Sequence, residues 1–306
     1  MKSVLPILTV IAAILLFWVV CVVPMNIHLV ADQAQRDELI VTPQTPSARQ
    51  DVSGVGLALR NTHLIPLTYN FVRPNLPSPH QVAGEMYNTI FGQKITSKRS
   101  LVYHGWVTLA PTLLGFLIGT TLGIFLAVGI VYSRVMDLSV MPWAIVSQTI
   151  PILALAPMVI VVLGSMGIQG LFPKSLISAY LSFFPVVVGM VKGLRSPDAM
   201  QLDLLRTYNA SKSQGFWALR LPASAPYLFA SLKIGISASL VGTIVAELPT
   251  GARAGFGARM LVGDQYGQPL VSWAALFAAA ITAAALVGIF SLIERITLKR
   301  MGMAAT

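Results

Sequence analysis

GLRSPDAMQLDLLRTYNASKSQGFWALRLPASA, residues 193–225, is the one long polar interruption in the apolar second half of this chain. Ser196 before Pro197 and Asp198 predicts a helix start: a capping hydroxyl, a proline at the first helical position, and a carboxylate against the positive end of the helix dipole. Leu202, Leu205 and Tyr208 then fall on one face at helical spacing. Asn209 follows, and after glycine asparagine is the residue that most readily takes the left-handed conformation that ends a helix. Ser211 and Gln214 have capping-box spacing, and Phe216, Trp217 and Leu219 give a second short helix an apolar side. Pro222 and Pro226 are expected to bound it, so the stretch reads as helix, sharp turn, helix, exit. Taken alone, it could be no more than a folded loop between membrane spans.

The surroundings of the stretch are those of a polytopic membrane protein: 55% of the 306 residues are apolar and 10% are charged. A net charge of +10 suggests nucleic acid in a soluble protein, but here the positive-inside bias accounts for it and no nucleic-acid partner is expected. The single cysteine, Cys21, lies inside an apolar run, which leaves no disulfide framework and no zinc spacing. His28, His63, His80 and His104 are scattered without ligand spacing, so no metal site is expected. No Gly-x-x-x-x-Gly-Lys-Ser/Thr loop occurs, so the chain is not expected to hydrolyse ATP. It also lacks a serine nucleophile elbow and an intramembrane Asp pair. We expect a non-enzyme without cofactors.

Six spans are predicted. Residues 4–23 form the first, preceded by Lys2; residues 1–23 therefore read as an N-terminal transmembrane helix. No small-x-small cleavage site follows it, which argues against a signal peptide. Residues 24–107 read as an extracytoplasmic segment with amphipathic helices. One starts at Ser78-Pro79 and presents Val82, Met86 and Ile90; a second, at 97–107, is expected to lie on the membrane surface with Lys98 and Arg99 in the headgroups.

Residues 108–300 are expected to form a core of five transmembrane helices. In the second span, 108–131, Gly115, Gly119, Gly123 and Ala127 recur every four residues, a face on which another helix can approach closely. The third, 140–163, is broken by Pro142, Pro151 and Pro157, with Gln148 and Thr149 just before Pro151. Freed carbonyls and polar side chains coincide there, which reads as the lining of a water-filled pathway or, alternatively, as simple interhelical hydrogen bonding. The fourth is 171–191. The fifth, 227–248, carries the weakly polar stripe Ser231, Gly235, Ser239, Thr243 and closes on Glu247. A carboxylate at membrane depth is costly, which makes Glu247 either a substrate or gating contact or the partner of Arg253 or Arg259. GARAGFG, residues 251–257, reads as a flexible re-entrant or gate segment before the sixth span, 273–293. Residues 301–306 form a tail.

With the N-terminus inside, cytoplasmic positions carry Lys2, Arg134, Lys192, Arg195, Arg206, Lys212, Arg220, Arg295, Lys299 and Arg300, whereas the short outer loops carry Lys174, Arg253 and Arg259. That count places the hairpin in the cytoplasm.

The hairpin resembles the signature of the membrane subunits of ATP-binding cassette (ABC) importers: Glu-Ala-Ala, three residues, Gly, and further on Leu-Pro. Asp203-Leu204-Leu205 stands at the Glu-Ala-Ala positions, Asn209 at the glycine, and Leu221-Pro222 at the Leu-Pro. The acid is kept as Asp, while leucines replace the alanines and Asn the glycine. SQTIPILALAPMVIVVLG (147–164), LPASAPYLFASLKIGISASLVGTIVAEL (221–248) and PNLPSPHQV (74–82) are similar to segments of the nitrate, sulfonate and taurine group of importer permeases.

The resemblance implies an all-α type I ABC importer permease in a bacterial inner membrane, with six transmembrane helices and a cytoplasmic coupling-helix hairpin. It implies ATP-binding cassette ATPase subunits docked through Asp203, Leu204, Leu205, Asn209, Gly215, Leu221 and Pro222. It further implies a second permease subunit, either another copy or a sister chain, and a periplasmic solute-binding protein. Gln148, Thr149, Pro151, Ser239, Thr243 and Glu247 are the candidate residues of the translocation pathway, and membrane lipid surrounds the spans. The solute is expected to be a small anion of the nitrate, sulfonate or taurine kind, or a pyrimidine or riboflavin-type vitamin precursor. An ion-coupled secondary transporter is the alternative. Such a carrier exposes ionisable residues at the midplane of several spans, and these spans read as nearly free of them.

Overall fold

The computed structural model describes residues 4–248 and 254–303. Among these, all regular structure is helical. Five helices are long and apolar enough to cross a membrane, and a sixth span arises if the bent pair Arg134–Ser147 and Ile152–Ser165 is counted as one. The all-α expectation is borne out. The chain divides into two compact units: residues 1–102 with 259–278, and residues 103–258 with 279–306.

In the first unit, α1 (Val4–Arg36) does not stop at residue 23 but runs through Pro24. Its continuation carries Ile27, Val30, Ala31 and Ala34 at helical spacing, and these are buried against Val41, Leu57, Ala58 and Leu64. That packing outweighs the one hydrogen bond a proline removes. Around it fold α2 (Pro46–Gln50), α3 (Gly54–Arg60), a 3₁₀ turn (Thr62–Leu64) and α4 (Ile65–Thr68). Arg49 is fully buried here, donating to Asp32 at 2.7 Å, to Gln35 at 2.7 Å and to the carbonyls of Pro43 and Gln44. A charge buried with this many acceptors holds a fold together, because every donor has a partner.

α5 (Pro79–Ile90) starts where Ser78-Pro79 indicates, with Gln81 Oε1 accepting the Ser78 N–H at 3.2 Å. The surface helix expected at 97–107 is not formed. Ser97–Ser100 is a turn, and α6 (Leu101–Tyr132) begins at Leu101 and continues unbroken through the second span. Nothing between Leu101 and Thr108 interrupts the helical hydrogen bonding, so the two predicted segments fuse. Within the same unit Trp18 of α1 stacks on Trp273 and Phe277, both at 5.4 Å between ring centroids. Its indole N–H donates to Pro77 O at 2.9 Å, which gives the polar end of this half-buried ring a partner.

In the second unit, α7 (Arg134–Ser147) and α8 (Ile152–Ser165) meet at an angle of 98°. Of the three prolines expected to break this span, Pro151 alone does so: Pro142 and Pro157 lie inside the two helices. α9 (Leu171–Leu194) leads to the hairpin helices α10 (Ala199–Thr207) and α11 (Lys212–Gly215). A single π-helical turn (Phe216–Arg220) then passes directly into α12 (Leu221–Glu247). α13 (Phe256–Gln265) and α14 (Pro269–Arg300) complete the chain.

The glycine stripe of α6 faces α9. A Cβ on Gly115 would fall 2.5 Å from Ser175 O, and one on Gly119 would fall 2.2 Å from Ser182 Oγ. α9 and α12 pack the same way, with Gly189 against Ser231 and Gly242 against the Ser178 backbone. Small residues thus let three helices approach with their backbones nearly in contact, which membrane helices use in place of a hydrophobic driving force.

Candidate functional site

The hairpin is positioned by caps more than by core. Asp198, not Ser196, caps its first helix: Gln201 Oε1 accepts the Asp198 N–H at 3.1 Å, while Ser196 Oγ donates back to Gly193 O. The reason is local, because Ser196 still belongs to the frayed end of α9. Asn209 has φ +53°, the left-handed turn the sequence indicates. Ser211 and Gln214 form the capping box that starts the second helix. That helix does not end at Pro222 or Pro226. Both fall in the first turns of α12, Pro222 at a position where the missing N–H costs nothing, so the hairpin and the long span form one continuous rod.

Leu202 and Leu205 are half-buried and, with Arg206, Ala210, Lys212 and Arg220, line a groove of about 290 Å³ beside Tyr132. Tyr208 does not share their face. It is exposed with Met200 and Leu204, an outward apolar stripe at four-residue spacing. Asp203 pairs with Arg206 at 2.9 Å, both well exposed, a contact worth about 0.5 kcal/mol or less. Gly215 lies at the closed end of the hairpin, where a Cβ would fall 3.8 Å from Leu205 Cδ1, and Leu221 and Pro222 form the start of α12. Beneath them Ala127, Ile130, Val187, Met190, Val191 and Leu194 form a core to which Phe216 and Leu221 add.

A buried polar seam runs along α6, α9 and α12 away from the hairpin. Ser178 Oγ donates to Ser239 O at 2.9 Å and lies against Ser239 Oγ, and Ser239 Oγ donates to Thr112 O at 2.7 Å. Thr112 Oγ1 is 3.0 Å from Thr243 Oγ1. At the far end Glu247, fully buried, accepts from Thr108 Oγ1 at 3.1 Å, from Gly257 N–H at 3.0 Å and from Lys174 Nζ at 3.3 Å.

Among the described residues Glu247 pairs with Lys174, which the sequence presents only as a loop charge. Arg253 lies outside the described residues, as do Lys2 and residues 249–252 and 304–306. Arg259 belongs to the first unit, where Glu85 is its opposite charge.

The described end of the GARAGFG segment is anchored, not free. Gly255 N–H donates to His104 Nδ1 at 3.0 Å, Phe256 N–H to Thr108 Oγ1 at 2.9 Å, and Gly257 N–H to Glu247. Gly255 has φ +124°, and a Cβ there would lie 2.1 Å from Glu247 Oε1, so glycine is required on two grounds.

Ser239, Thr243 and Glu247 thus belong to one seam. Gln148, Thr149 and Pro151 do not reach it: they are exposed at the corner between α7 and α8. A further intramembrane charge escaped the sequence reading. Lys233, midway along α12, donates to Glu294 of α14 at 2.7 Å. The lysine was legible, but its partner lies 61 residues away and no local pattern links them.

Five long apolar helices, one sharply bent pair and a capped two-helix hairpin between two tightly packed spans define an all-α membrane permease of the type I ABC importer kind. The chain belongs to the family of binding-protein-dependent transport system inner membrane components, whose model matches residues 119–303. It is 29% identical over 222 residues to a probable ABC transporter permease protein of Haemophilus influenzae, covering 72% of this chain and 85% of the relative. It is 31% identical over 183 residues, 60% and 68% of the two chains, to the formylaminopyrimidine transport permease protein ThiX of Halalkalibacterium halodurans. Over 203 residues, 65% and 70%, it is 30% identical to the nitrate import permease protein NrtB of Synechocystis. Membership makes this a multi-pass inner-membrane transport protein, of a kind that is not itself an enzyme.

Proposed function

We propose that this chain is the transmembrane permease subunit of an ATP-driven importer for a small solute, coupled through residues 193–225 to separate ATPase subunits. The observation that carries the reading is the continuity of hairpin and span. With α11, the π-helical turn and α12 in one rod, force on the hairpin is transmitted along the helix that carries Ser239, Thr243 and Glu247. The exposed stripe Met200, Leu204 and Tyr208, beside Asp203, is the docking face. Asn209, Gly215, Leu221 and Pro222 keep the hairpin in shape.

The N-terminus and the hairpin lie in the cytoplasm, following the distribution of Lys and Arg. A second permease subunit, identical or a sister chain, completes the pathway, and Gln148, Thr149 and Pro151 line it from the α7–α8 corner. A periplasmic solute-binding protein delivers the solute. ATP-driven closure of the ATPases shifts the pair between outward-open and inward-open packings, a population shift toward the state that ATP binding favours.

The relatives' names divide between an inorganic anion and a pyrimidine. The solute is accordingly a small anion or a vitamin precursor of the pyrimidine or riboflavin type. The test is uptake by proteoliposomes holding this chain with the ATPase and binding protein of its own operon. Uptake must require both ATP and the binding protein; uptake that proceeds without either sinks the reading.

A further inference from the structure

At the hairpin-distal end of the second unit a cleft of about 570 Å³ opens among α6, α8 and the start of α9. Its wall is apolar at Ile160, Ile168 and Pro173 and polar at Tyr103 and Gln169, and among the described residues lining it Lys174 carries the charge. That size suits a small solute. We infer that Lys174 is an anion-recognition residue in this cleft, sharing its charge between Glu247 and the oxyanion group of the solute, a sulfonate, carboxylate or nitrate. The inference rests on the permease reading and narrows its solute class.

The two members of the pair are not held alike. Glu247 is 0% exposed, and it keeps Thr108 Oγ1–H and the Gly257 N–H as donors whether or not the lysine is present. Lys174 keeps 12% exposure and reaches a single carboxylate oxygen at 3.3 Å, longer than the usual 2.7–2.9 Å of a charge-assisted bond. A lysine ammonium on four rotatable bonds can turn toward the cleft without moving backbone. The carboxylate it leaves is still hydrogen-bonded, so the exchange strands no bare charge. An entering anion therefore meets a cation that can be released to it. An entering cation meets the same ammonium, with the carboxylate behind it. Because Glu247 competes for the ammonium, binding is weak, which suits a solute that has to move on.

Cys21 is the only cysteine, which makes the test clean. In the full chain in lipid nanodiscs, Cys21→Ser with Gln169→Cys places a reporter thiol on the cleft wall. Its reaction rates with an anionic, sulfonate-bearing methanethiosulfonate and with the trimethylammonium analogue are each divided by the reagent's rate with a free thiol. The anion-to-cation ratio is expected to fall about fivefold with Lys174→Gln, the order of effect that one unit charge at about a Debye length has on two oppositely charged reagents in water. It should survive Lys174→Arg and rise with Glu247→Gln. A ratio indifferent to Lys174→Gln overturns the inference.

Should Lys174→Gln not fold, protection of the thiol in the Lys174 chain decides. Protection by methanesulfonate but not by tetramethylammonium supports the site, and equal or absent protection overturns it. No ATP or ATPase enters the assay, so the site and the coupling stand or fall separately.

Discussion

Arg220 donates through Nη1 to the carbonyl oxygen of Leu194 at 2.7 Å, so the residue that leaves the hairpin holds the residue that leads into it. Leu194 ends α9, where carbonyls lack an intrahelical partner. The same guanidinium lies 5.9 Å from the centroid of the Tyr132 ring at the end of α6. One cation thus joins α6, α9 and the π-helical turn. Arg220→Ala is expected to cost about 1.5–3 kcal/mol, the worth of a hydrogen bond to a charged group, while leaving the spans in place. Measured in proteoliposomes, solute moved per ATP hydrolysed should fall while ATPase binding persists. Unchanged stoichiometry would show that the tie is dispensable.

Asn209 holds the hairpin turn at φ +53°. Asn209→Gly should be silent, and Asn209→Val should cost about 1–2 kcal/mol by forcing a β-branched residue into the left-handed region. ATP-driven uptake at normal expression separates the two. Wild-type uptake by the valine variant would remove the turn from the coupling mechanism.

Gly255 has no room for a methyl group. Gly255→Ala places a Cβ against the Glu247 carboxylate at a backbone conformation L-residues rarely adopt, and the three N–H anchors of residues 255–257 must then shift. Strain of about 1–3 kcal/mol is expected from the backbone alone. It should appear as a lowered melting temperature of the purified chain in detergent. A variant as stable as the parent would mean the segment is looser than its hydrogen bonds indicate.

Lys233 and Glu294 join α12 to α14 at membrane depth. Removing either partner strands a charge, whereas removing both does not. Lys233→Met and Glu294→Leu should each lower stability by several-fold more than the double variant, so a double-mutant cycle should return a strong coupling. Additive losses would mean that the two side chains do not depend on one another.

The hairpin was legible because its signals are local. Ser211 with Gln214 and the left-handed Asn209 need only neighbouring residues, and they appear where the sequence puts them. The glycine stripe of α6 was legible too, since four-residue spacing is a property of one helix. The helix ends were less so. Pro24, Pro222 and Pro226 all read as boundaries, yet helices run through them because packing or an N-terminal position removes the cost. The shift of the cap from Ser196 to Asp198 is a choice between two capable residues that only the end of α9 decides. Least legible were the pairs Lys174–Glu247 and Lys233–Glu294, which join helices distant in sequence. The outward stripe Met200, Leu204 and Tyr208 had a local signal in its spacing, which the competing face at Leu202 and Leu205 obscured.

The most direct measurement is gentle purification of the tagged chain from its native membrane, followed by mass spectrometry of what accompanies it. A permease coupled through residues 193–225 brings down a soluble ATPase, and loses it when Asp203 and the Asn209 turn are mutated. Recovery of the chain alone, transport-competent in liposomes without ATP, would contradict the coupling and identify an ion-coupled carrier instead.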